Sequence, residues 1–173
     1  MIRTPSSSFT RPADTTAYAS GDLIANSTTA ASVVPLQFNI SDMSIKSGCV
    51  GYARLFKDDA TTTNANFNLH LFTADPGVPT NGDNGALAVA SGQYYLGKIA
   101  CNMTSGAFAT SADLIKRFQV LSASSLASLF CFDLTKSATG RTLYGLLEAA
   151  AAYTPASGET FEVTLEIGND GGR

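Results

Sequence analysis

Tryptophan is absent from this 173-residue chain, histidine occurs once and cysteine three times. Charge is scarce as well, at 14% of residues against a typical ~25%. Each shortage excludes something. Cys49, Cys101 and Cys131 are far apart, with no CxxC and no Cys/His pair, which argues against a zinc site. Each lies among apolar neighbours, so three buried free thiols are expected. The net charge of −3, with no Lys/Arg cluster, argues against nucleic-acid binding, which needs a basic patch to neutralise phosphates. No apolar run approaches the ~20 residues of a membrane span. The opening MIRTPSSSFTRP has no apolar h-region, so synthesis and folding in a cytoplasm are expected.

Catalytic signatures are missing too. The chain contains no GxSxG, Walker loop, GxGxxG or HExxH. The one histidine, His70, can be written into a triad with Cys131 and Asp133, but nothing in the sequence brings the three together. His70 therefore reads as structural, and the chain as a non-enzyme without cofactor. Asp75, Asn81, Asp83 and Asn84 share one Gly/Pro-rich loop. Calcium takes roughly six to eight oxygen ligands, and the distal Glu of a calcium loop is missing, so these residues read as turn formers and no metal is expected.

What the chain does have is Ser, Thr, Asn, Ala and Gly in place of charge, and short runs of period two. Phe161, Val163, Leu165 and Ile167 alternate with Glu162, Thr164 and Glu166, the pattern of a half-buried strand. Residues 34–40 alternate likewise, with Pro35 placing that strand at an edge or at its own start. Residues 49–57 are apolar on both faces and suit a central strand. In FNLHLF, Phe67, Leu69 and Leu71 share a face opposite His70. Residues 18–25 suggest a turn into a short strand, and residues 128–134 another strand. Residues 111–118 fit either a short helix capped by Ser111 or a strand, and a helical turn is expected after Ser91. Residues 141–153 and 159–168 flank a Pro155–Gly158 turn and read as a closing hairpin. About eight short strands imply a mostly-β fold: an antiparallel β-sandwich or jelly roll with one or two short helices.

Residues 1–16, rich in Ser, Thr and Pro, bury too little to form their own core. They read as an extended N-terminal arm, mobile in the isolated protein, before one β-sandwich domain over residues 17–173. Arg3, Phe9, Arg11, Pro12 and Tyr18 are the candidate partner contacts.

Three stretches carry a family resemblance: FTRPADTTAYASGDLIANS (residues 9–27), FNLHLFTADPGVPTNGDNGAL (67–87) and LYGLLEAAAAYTPASGETFEVTLEIG (143–168). Together, in this order, they resemble bacteriophage and prophage virion structural proteins. SADLIKRFQVLSASSLAS (111–128) departs from that pattern. The resemblance implies a head decoration or cement protein on the outer capsid surface. Its partners would be the major capsid protein and itself, as a homotrimer bridging capsomers. The alternative is a carbohydrate- or receptor-binding module of a head fibre or tail. Such a module needs exposed aromatics, and here the candidates are Tyr18, Tyr52, Tyr94, Tyr95, Tyr144 and Tyr153. A hydrolase, the third reading, is opposed by the single histidine.

Overall fold

A computed structural model describes residues 2–40, 47–120, 130–134 and 140–168. Within these residues the chain is an antiparallel β-sandwich of two sheets. The strands, in chain order, are β1 (Ile2–Arg3), β2 (Ser6–Thr10), β3 (Leu23–Ile24), β4 (Leu36–Asn39), β5 (Ser47–Lys57) and β6 (Asn66–Phe72). They continue as β7 (Tyr95–Asn102), β8 (Phe108–Ala109), β9 (Leu114–Gln119), β10 (Phe130–Asp133), β11 (Thr142–Ala149) and β12 (Thr160–Gly168). The larger sheet runs β1-β12-β5-β9-β8, with β10 on β5 and β2 on β12. The smaller sheet runs β3-β11-β6-β7, with β4 on β11.

The period-two pattern of β12 governs the larger sheet. Phe161, Val163, Leu165 and Ile167 are buried, while Glu162 and Glu166 stay partly exposed. Its partner β5 is central, as its sequence implies, with β12 on one side and β9 and β10 on the other. The register of β5 and β12 shifts at Glu166/Ile167, where the pairing passes over Gly51. That bulge changes the parity of β5, so Val50 and Ala53 both reach the core. From the smaller sheet, Phe67, Leu69 and Leu71 point inward. Phe67 meets Phe161 edge-on at 5.4 Å and Tyr153 at 5.1 Å, which ties the two sheets together through aromatic contacts.

Four expectations need correction. First, β11 and β12 form no hairpin: β11 lies in the smaller sheet and β12 in the larger, so the Pro155–Gly158 connection crosses between layers. Alternation sets a strand's faces but not its partner, and here both faces of β11 are buried, which suits a middle strand. Second, of the two alternatives open for residues 111–118 the strand is found, over 114–119, and the helix is not: Leu114 and Phe118 face the core with Lys116 between them on the same side. The only helical element among the described residues is a single 3-10 turn, Ala30–Ser32, and the residues after Ser91 form a turn.

Third, the N-terminal segment is extended as expected but lies in the sandwich. β2 pairs residue by residue with β12, and β1 continues that edge after a break at Thr4-Pro5. Phe9 stacks on Phe161 at 5.7 Å. The segment has no core of its own, but it borrows that of β12. Fourth, Cys49 and Cys131 sit directly opposite each other on β5 and β10 and form a disulfide. Cys101 alone is a free, buried thiol. The separation of 82 positions between the bonded cysteines hid their pairing in the sequence.

Candidate functional site

The outer face of the smaller sheet is partly covered. The loop of residues 73–94 folds back over it, and Leu87 and Val89 pack on Phe72, Tyr144, Leu146, Leu23 and Val33 as a second, smaller apolar cluster. A glycine makes this return possible. At Gly82 a Cβ would lie 2.1 Å from the carbonyl oxygen of Thr28, so no side chain fits. Where the covering loop rejoins β7, the sheet face is left open as a groove of about 290 Å³. Its walls are His70, Phe72, Leu87, Ala88, Val89, Gly92, Tyr95 and Glu148.

The strand register explains this gathering. His70 sits beside Lys98 on β7 and Leu146 on β11, and Glu148 lies beside Asn68. These residues share the outward parity of their strands, opposite Leu69 and Leu71. His70 Nε2 is 3.0 Å from Glu148 Oε2, and Asn68 Nδ2 donates to the same oxygen at 2.6 Å. His70 Nδ1 is 3.2 Å from the Tyr95 hydroxyl. With Nε2–H donating to the carboxylate, Nδ1 accepts from the phenol. The Tyr95 ring remains 45% exposed and stands 5.5 Å from Phe72 and 5.8 Å from His70.

Electrostatics define the resting state. Burial pushes the Glu148 carboxyl up, but hydrogen bonds from His70 and Asn68, with the nearby Lys98 charge, outweigh it and hold the group below its ordinary value. Burial and the Glu148 charge push the Tyr95 phenol up. At neutral pH the groove therefore presents an ionised carboxylate and a protonated phenol. A phenol made harder to ionise is a poor nucleophile, so the arrangement suits hydrogen bonding better than proton transfer.

The Cys131–His70–Asp133 grouping is not assembled: His70 belongs to the smaller sheet, Cys131 and Asp133 to the larger, and Cys131 is bonded to Cys49. Among the described residues no group of three or more His, Cys, Asp or Glu could hold a metal ion. Asp83, assigned to a surface turn from sequence, is buried. It accepts from the Tyr18 hydroxyl at 2.7 Å, the Ala25 N–H at 2.8 Å and Arg11 Nη2 at 3.2 Å.

The candidate contact residues divide. Arg11 and Tyr18 are corrected to interior residues, with Arg11 Nε donating to the Tyr18 hydroxyl at 2.7 Å. Arg3, Phe9 and Pro12 are half-buried along the edge made by β1 and β2. Of the six tyrosines, Tyr18, Tyr144 and Tyr153 are buried, Tyr52 lies under the Arg117 guanidinium at 3.5 Å, and Tyr94 and Tyr95 are exposed. Sequence reading named Tyr95 but missed Glu148, because its partner His70 is 78 residues away. No family model matches the chain, and no curated protein does.

Proposed function

We propose that the chain is a decoration protein of a phage head, bound to the shell through the outer face of its larger sheet. The observation that carries this reading is the character of that face. Phe56, Ile115 and Phe108 stand in one cross-strand row, and Phe108 is 70% exposed. The neighbouring charges are paired on the face itself, Arg54 with Glu162 and Arg117 with Glu166. Docking there would cover apolar surface and leave no charge without a partner, which is the economy a protein interface needs. Ser6, Ser8 and Thr10 extend the face with small neutral groups.

Two other observations lean the same way. One is the resemblance to phage structural proteins expected from the opening, middle and closing stretches of the sequence, on which this reading rests in part. The Cys49–Cys131 disulfide survives where surroundings are oxidising, as they are for a particle after release from its host. As a homotrimer at three-fold positions, the protein would span seams between capsomers, and many modest symmetric contacts would add up.

Co-sedimentation with empty heads tests the reading. The parent protein should pellet with heads at a copy number set by the shell lattice, and Phe108→Asp should bind about tenfold more weakly or worse, as loss of a central apolar contact does. A parent protein that stays in the supernatant, or a folded F108D variant that binds as well as the parent, refutes it.

A further inference from the structure

We propose that the groove between Tyr95, His70 and Glu148 binds one neutral saccharide unit. The walls divide by chemistry. Tyr95 offers an exposed ring, Leu87 and Val89 an aliphatic side, and Glu148 and His70 a connected polar edge, its carboxylate held also by Asn68. A pyranose has the matching division, with C–H faces that lie on an aromatic ring and an equatorial belt of hydroxyls that donate to a carboxylate and exchange bonds with an imidazole and a phenol. At about 290 Å³ the groove lies near the lower limit of ligand sites, so it admits one ring of a longer chain and not a folded segment.

Other ligand classes fit less well. A phosphate or carboxylate ligand would face the Glu148 carboxylate. A cation would meet a carboxylate whose charge Lys98, the register neighbour of His70, already offsets in part. A purely apolar ligand would cover Glu148 and His70, whose side chains are 18% and 15% exposed, while offering no donor or acceptor in exchange for water. A neutral polyol meets all three conditions. The groove sits on the opposite sheet from the proposed shell-binding face, so occupation of one leaves the other open, and the two proposals fail separately.

Saturation-transfer NMR on the full chain tests the site. One arm uses free neutral monosaccharides (glucose, galactose, N-acetylglucosamine) and the other a bacterial surface polysaccharide, which distinguishes a free sugar from one displayed on a cell. Binding in at least one arm is expected. Tyr95→Ala and Glu148→Gln should each weaken it by about tenfold or more, the loss expected when a charge-assisted hydrogen bond or a stacking face is removed. Ala88→Trp supplies an independent check, because Ala88 is exposed and lines the groove, so a large side chain there should obstruct it. It should abolish binding with an unchanged melting temperature. Absence of saturation transfer in both arms at millimolar sugar, or binding that survives A88W, overturns the proposal. So does displacement of the sugar by inorganic phosphate.

Discussion

Reducing the Cys49–Cys131 bond should lower stability by about 4–5 kcal/mol. The bond closes 82 residues, and the entropy of closing a loop of that length in the unfolded chain gives this figure. For a protein of this size the loss corresponds to a fall of about 10–20 °C in melting temperature. β10 pairs with β5, so part of the effect should be local release of that strand from the sheet. Thiol counting makes the test sharp. Cys101 is buried and its thiol is pushed up to about 12 by burial, so the native protein should show no reactive thiol at pH 8. Unfolding without reductant should expose one thiol, and unfolding after reduction three. Guanidinium titrations of the oxidised protein, the reduced protein and the Cys49→Ser/Cys131→Ser variant supply the energies. Three thiols titrating in air-oxidised, unreduced, unfolded protein would refute the pairing. Equal midpoints for oxidised and reduced forms would refute the magnitude.

Leu165→Ala should cost about 2–5 kcal/mol by calorimetry, since Leu165 is wholly buried on the inner face of β12. Lys57 Nζ is buried 3.0 Å from Glu159 Oε1 and from the Tyr153 hydroxyl, so Lys57→Met alone should cost about 3–5 kcal/mol by leaving Glu159 unpaired. The double variant Lys57→Met/Glu159→Leu should recover much of that loss, and a cycle in which the two changes simply add would show that the pair is not coupled. Deleting residues 2–12 should destabilise the domain and promote association through the bared edge of β12, measured by light scattering; a truncated protein as stable and monomeric as the parent would show that β1 and β2 contribute nothing to the sandwich.

Much of the sandwich is readable from period two alone. The inward sets of β6 and β12 and the central place of β5 follow from where apolar side chains alternate or fill both faces. Pairing is not readable in that way. β11 and β12 are adjacent in sequence and look like a hairpin, yet each finds its neighbours in a different sheet. The short N-terminal segment looks too poor in apolar residues to order, because a window of sixteen residues contains Phe9 but not the Phe161 that it meets. The disulfide and the Glu148–His70 pair fail for the same reason: their partners are 82 and 78 residues apart. Asp83 misleads for another. Asp in an Asn/Gly-rich loop marks a turn by backbone chemistry, and nothing local reveals that Arg11 closes over it.

That closure links the parts of the molecule. Two chains of contacts of the same form, cation to tyrosine hydroxyl to carboxylate, lie side by side in the interior. Arg11, Tyr18 and Asp83 make one; Lys57, Tyr153 and Glu159 make the other, with the two tyrosine rings stacked at 6.4 Å. Arg11 belongs to the segment that follows β2 on the edge of the larger sheet, while Asp83 belongs to the loop that covers the smaller one. Their ion pair is fully buried, so it adds little net energy over an apolar pair but strongly penalises any arrangement that separates the charges. The N-terminal segment therefore fixes the loop whose far end supplies Leu87, Ala88 and Val89 to the groove. A substitution at Arg11 should therefore loosen a groove wall it does not touch, because it removes one of the three groups that hold the Asp83 carboxylate. Edge strand, covering loop and groove are thus joined through one buried ion pair, although Arg11 and Asp83 are 72 residues apart.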